Sequence, residues 1–129
     1  MNGTREEIRV PGRPELSHSA DAVRAGKTLF VAGILPVSTR GELVGADDVV
    51  QQARFVFVEL GRILGAAGTS FADVVKVTIF LRDVDDRPLI NPLRQELFGD
   101  ARPASTLVEV SGLAVPGALI EVDAVAVLP

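Results

Sequence analysis

The run Leu119–Leu128 alternates strictly and carries apolar side chains on both of its sides. Leu119, Val125 and Val127 share one side with Glu121 and Asp123, while Ile120, Val122, Ala124, Ala126 and Leu128 make up the other. A strand of this kind has to be covered on two faces. The chain supplies only two helical patterns for that purpose, so one face of the sheet is left over. The economical cover is another copy of the same surface. A mean hydropathy of +0.32 over 129 residues argues the same way. The expectation is one domain, residues 1–129, that self-associates.

The two helices declare themselves by period. Val49, Val50, Ala53, Phe57, Leu60 and Leu64 recur at three- and four-residue steps, which predicts about five turns of amphipathic helix. Asp47 is the expected N-cap, Asp48 suits the first turn, and the glycines at 65 and 68 end the helix. A second helix is expected from Asp85 to Phe98, closed by Gly99, with a kink or restart where Asn91 could cap and Pro92 could take the first helical position. Strands are expected over 27–33, in a short hairpin turning at Thr39–Gly41, over 73–83, and over the two final runs 104–111 and 118–128. Val75, Val77, Ile79 and Leu81 are placed on one face of the third of these. The order is β-β-β-α-β-α-β-β, an α+β sandwich with two helices on one sheet face. Residues 1–15, punctuated by Pro11, Gly12 and Pro14, read as a loose arm.

Composition removes several function classes. With no Cys there is no disulfide framework, thiolate nucleophile or thiolate metal site. One His, His18, without a spaced partner gives no metal site, and Ser17 and Asp21 beside it do not make a triad. A net charge of −4, with Arg residues dispersed and neither Trp nor Tyr, speaks against nucleic acid. No run reaches the ~20 apolar residues of a membrane span, and the amino-terminal stretch lacks the order of a signal peptide. A cytoplasmic protein without metal or cofactor is the expectation.

The chemically suggestive residues lie late in the chain. Glu121 and Asp123 share a strand face about 7 Å apart, a spacing that suits a general base with a second acid beside it, or a solvated pair of strand carboxylates. Arg94 and Arg102 are the cations nearest the strand that opens at Pro103. Either could charge a cleft or pair with Glu96 or Asp100. Ser105 could bond a ligand or satisfy backbone.

The segments "KTLFVAG", "QQARFVFVELGRIL", "AAGTSFADVVKVTIFLRDVDD", "NPLRQELFG", "RPASTLVEV" and "LIEVDAVA" stand in the order and spacing of the RidA/YjgF family of enamine/imine deaminases, also called endoribonuclease L-PSP-like. The chain resembles that family along nearly its whole length. The resemblance implies a chorismate-mutase-like α+β fold and a homotrimer, with the sheets forming a central barrel and small-molecule clefts between subunits. It places Glu121 where such enzymes position water beside an imine carbon. Gly33, Ile34, Asn91, Arg94, Arg102, Ser105 and His18 fall at or near the implied substrate-binding positions. It also marks departures: Ser105 stands where the deaminases carry the Arg that clamps the substrate carboxylate, Ile34 replaces a Gln, and Arg94 replaces a Tyr. A hydroxyl lacks both the charge and the fork of a guanidinium. The expected activity is therefore hydrolysis or deamination of a small imine or enamine other than 2-aminoacrylate. A non-catalytic metabolite-binding trimer is the alternative, and RNA cleavage the weaker third reading.

Overall fold

The structure, a computed structural model, describes residues 4–129. Eight regular elements follow in the order β1 (Glu6–Ile8), β2 (Ala22–Ala25), β3 (Thr28–Ile34), α1 (Val49–Ala66), β4 (Val74–Leu81), α2 (Arg87–Phe98), β5 (Ala104–Glu109) and β6 (Ile120–Val127). The strands form one six-stranded sheet, β1-β2-β3-β6-β4-β5. Every pairing is antiparallel except β4 with β5. Both helices cover one face, as expected for an α+β sandwich.

Alternation along β6 decides the layers. Ile120, Val122, Ala124 and Ala126 are fully or nearly fully buried toward the helices. They meet Leu29, Val31 and Ile34 of β3 and Val77, Ile79 and Leu81 of β4, beneath Phe57, Leu60, Ile63 and Leu64 of α1. Phe98 of α2 stands edge-on to Phe57 and Phe71, with centroids 6.3 and 5.6 Å apart, and locks the helices together. On the other face Phe30, Val75, Val108 and Val127 remain exposed.

Several local expectations are revised. Residues 34–45 form no hairpin strands, only an isolated Val37–Leu43 bridge. The three strands before α1 are instead β1, β2 and β3. Residues 6–8 of the stretch read as an arm pair with β2, while residues 1–3 lie outside the described ones. The N-cap of α1 is Asp48, whose side chain accepts the Gln51 N–H at 3.0 Å. Asp47 takes a left-handed conformation (φ 61°), which a short polar side chain tolerates. A register shift between Val74 and Lys76 turns Val74 inward and Val75 outward, reversing the expectation for Val75. Asn91 starts no new helix, because α2 runs through Pro92 without a break. Gly99, at φ 54° and ψ −127°, ends that helix in a conformation open to glycine.

Candidate functional site

Glu121 extends from the open face of β6, level with Phe80 of β4. Between Val31 and Ile34, β3 carries one residue more than the facing stretch of β6, a bulge that brings Gly33 under the Glu121 carboxyl. The approach is so close that a Cβ on residue 33 would lie 2.0 Å from a carboxyl oxygen. Only glycine leaves the carboxyl this room. Partial burial pushes the Glu121 pKa up, and the charge of Asp123 adds to the rise. Neither carboxylate forms an ion pair among the described residues, so Glu121 is a carboxyl that retains its proton more readily than usual and has no counter-cation.

Gly33 also lines a hollow of about 320 Å3, walled by Leu16, Leu35, Val37, Ala114 and Val115. Its neighbour, about 450 Å3, is lined by His18, Phe30, Arg5 and Arg9. Ser19 and Ala32 line both hollows. His18 thus sits on the approach to this face. Ile34 does not: it is fully buried beneath the helices, so the residue in the Gln position serves the core.

Ser105 belongs to the opposite face, because β5 pairs in register with β4 and aligns Ser105 with the buried Val77. Its hydroxyl accepts a hydrogen bond at 2.5 Å from Arg94 Nη2, while Arg94 Nη1 donates to Asn91 Oδ1 at 3.2 Å. Arg94, Asn91 and Arg102 line one hollow of about 430 Å3 together with Gln95, Phe98 and Pro103. Burial lowers the Arg94 pKa, yet an Arg stays protonated in proteins. The sequence offered Arg94 and Arg102 alike as cations beside this strand. Arg94 is the one in contact with Ser105.

Gln52 belongs to the frame of the site although no motif in the sequence marks it. It is wholly buried, and its side-chain nitrogen donates to the carbonyls of Gly45 and Gly117 while its oxygen accepts the Leu119 N–H. These bonds clasp the loop after β3 to the loop that enters β6, two residues before Glu121. The signal was available: Gln52 lies three residues after Val49 and four before Val56, inside the apolar stripe. A second buried polar group, Glu59, accepts hydrogen bonds from Arg13 and Arg62, and Arg13 also pairs with Asp21, tying the amino-terminal segment to α1. Among the described residues no cluster of His, Cys, Asp or Glu could hold a metal ion. Among the described residues no helix is long and apolar enough to cross a membrane.

A mixed sheet with two helices on one face, and a glutamate over a glycine bulge on the other, define an α+β chain with a carboxyl site on its open sheet face. Residues 12–128 match the family model described as Endoribonuclease L-PSP, and the chain belongs to that family. It is 42% identical to a RutC family protein of Pyrococcus horikoshii over 83% of this chain and 84% of the relative. It is 41% identical to the 3-aminoacrylate deaminase RutC of Acinetobacter baylyi, over 88% of this chain and 89% of that one. The crystal structure of the YjgF gene product of E. coli superimposes with a TM-score of 0.83 at 30% identity, covering 95% of this chain and 98% of the other.

Proposed function

We propose that this chain is a hydrolytic deaminase of small imines or enamines, with Glu121 as the base that handles water. The observation that carries the reading is the Glu121 carboxyl, held against Gly33 on an open face, unpaired and with a raised pKa. A carboxyl shifted toward neutrality exchanges protons efficiently at working pH. In the proposed reaction Glu121 takes a proton from water as the water oxygen bonds to the imine carbon. That proton passes to the nitrogen to give a carbinolamine, the hydroxyl proton then follows it to the nitrogen, and the C–N bond breaks so that ammonia leaves and a carbonyl remains. An enamine first accepts a proton on carbon to become the imine. The name of the Acinetobacter relative, a 3-aminoacrylate deaminase, supports the reaction class.

The proposed working unit is a homotrimer. Exposed Phe30, Val75, Val108 and Val127 lie on the sheet face that the helices leave uncovered, and burying such a face offsets the cost of exposing it. Glu121 and Ser105 point to opposite faces of their own sheet, so a site using both takes one from each of two neighbouring copies. Ser105 in place of an Arg argues against 2-aminoacrylate handled in the manner of the Arg-bearing members.

The decisive measurement is ammonia release from freshly generated imines and from 3-aminoacrylate, by wild type and Glu121→Gln. The variant is expected to lose roughly 100-fold or more in kcat. Equal rates would remove Glu121 from the mechanism. Saturable binding without turnover in either protein would support the metabolite-binding alternative instead.

A further inference from the structure

The seat of Glu121 depends on a bulge, and strand pairing alone does not fix a bulge. β3 and β6 shift register between Val31 and Ile34. A slip of one residue in β6 would carry Glu121 from the open face to the helix face. The side chain that holds the two strands at this level is Gln52 of α1, which reaches toward the ends of both from the helix side. Its oxygen accepts the Leu119 N–H at 2.7 Å, while the Leu119 carbonyl accepts the Arg82 N–H at 3.1 Å. The residue that leads into β6 is thus gripped between α1 and the end of β4, two positions before Glu121. The Gln52 nitrogen donates to the carbonyls of Gly45 and Gly117, each at 3.1 Å. Gly45 is itself tied back toward the bulge, because the N–H of its neighbour Val44 donates at 2.8 Å to the carbonyl of Pro36, two residues beyond Ile34. Leu43 lies against Gly117, where a Cβ would come within 2.7 Å of it. Both N–H donors of the amide are used. A leucine would pack α1 as well, but only an amide can bond three backbone groups from two loops at once.

We infer that Gln52 is the positioning residue for Glu121: from the far side of the sheet it sets the level of β6 against the Gly33 bulge, and with it the place of the carboxyl. The inference rests on the proposed role of Glu121 for its effect on turnover, and on geometry alone for its effect on the surroundings of the carboxyl. Gln52 belongs to the helix layer and Glu121 to the open face, so the influence passes through the backbone of residues 119–121. The bulge supplies the room for the carboxyl, and the amide keeps the carboxyl opposite that room.

The carboxyl of Glu121 reports its own position without turnover. Its pKa is raised by partial burial, with the charge of Asp123 adding to the rise. The pKa of Asp86 is raised by its own burial beside Asp83 and Asp85, just before α2, and serves as the control. An NMR titration of the side-chain carboxyls, run on the full chain well below its melting temperature, follows both groups. In Gln52→Leu the Glu121 pKa is expected to fall toward the ordinary glutamate range as the carboxyl leaves its partly buried seat, while Asp86 stays where it was. In ammonia release the same variant is expected to lose about 10- to 100-fold in kcat with little change in KM. In a Glu121→Gln background it should cost no further activity, because the group it positions is already gone. Gln52→Asn, one methylene shorter, keeps an amide that cannot reach all three partners. It is expected to show the same changes in smaller measure, and serves if the Leu variant does not fold. An unmoved Glu121 titration in the folded variants would overturn the inference whatever the fall in melting temperature, since a merely structural Gln would cost stability alone. Glu121 and Asp86 moving together would mean general loosening and would overturn it as well, as would an equal loss of kcat in the Glu121→Gln background. Should wild type turn over no imine, the deaminase reading fails, and a shift confined to Glu121 still sustains the positioning.

Discussion

Replacing Gly33 by alanine separates the position of Glu121 from its presence. The new methyl carbon would fall 2.0 Å from one carboxyl oxygen of Glu121 and 3.0 Å from the carboxyl carbon. Cβ atoms do not approach neighbours within 3.0 Å, so that oxygen has to move by about 1 Å or more. The obstruction is the tip of a flexible side chain, not backbone, and Gly33 does not have a positive φ that would exclude alanine. Rotating Glu121 off its preferred geometry costs about 0.5–1.5 kcal/mol. Restricting the unfolded chain returns about 0.4–1 kcal/mol. Stability is thus expected to change by less than about 1 kcal/mol, while a 1 Å displacement of a catalytic group lowers the rate on the order of 100-fold. A thermal melt and an ammonia-release assay on the same G33A preparation give both values. Unchanged activity would show that the carboxyl position over Gly33 is not the one catalysis uses. A melting temperature lowered by more than about 10 °C would show that the contact is not relieved by the side chain.

Gln52→Leu preserves volume but leaves the Gly45 and Gly117 carbonyls and the Leu119 N–H without their partner. It should cost about 3 kcal/mol or more, read by calorimetry as a fall in Tm on the order of 10 °C, and a fall of a degree or two would mean that the clasp is not needed. The raised pKa of Glu121 means that the folded state holds this proton more tightly than the unfolded chain does. Stability from this group is therefore fully present below the ordinary glutamate range and is lost as pH rises through the folded value. Glu121→Gln should melt higher than wild type near neutral pH, with the difference closing in acid, and Asp123→Asn should move the acidic limb of activity to lower pH. Phe30→Asp on the open face should yield monomers by light scattering if that face is the trimer surface, and an unchanged mass would refute the proposed assembly.

The parts of the fold that were legible in the sequence depend on long, repetitive patterns. The α1 stripe and the two faces of β6 each use many residues to express one period, so a single exception does little harm. The failures are local. Asp47 and Asp48 are equivalent as letters, and only the loop closing on Asp48 chooses between them. Val74 and Val75 exchange faces because a register shift resets the alternation, which an apolar run on both faces conceals. Asn91 and Pro92 satisfy a helix-start pattern, yet α2 continues because Leu93 and Phe98 are buried in the core, and that burial outweighs one missing backbone bond. The short β1 and β2 have too few residues to show a period. At the site, Glu121 and Gly33 could be nominated separately, but their contact arises from a bulge that no pattern announces. The bond between Arg94 and Ser105 joins α2 to β5 and was equally unreadable, although both residues stood out individually.

The position of β6 has a consequence for how the molecule is made. It follows β3 and β4 in the chain, yet lies between them in the sheet. While a ribosome is still holding residues 120–127, the emerged portion has two half-sheets with apolar, unpaired inner edges and nothing to join them. Native pairing, the Gln52 clasp and the seat of Glu121 all await that strand. Folding of this chain is thus deferred until after synthesis of β6, dominated by distant contacts and slow for its size, with the nascent intermediate exposing two sticky edges.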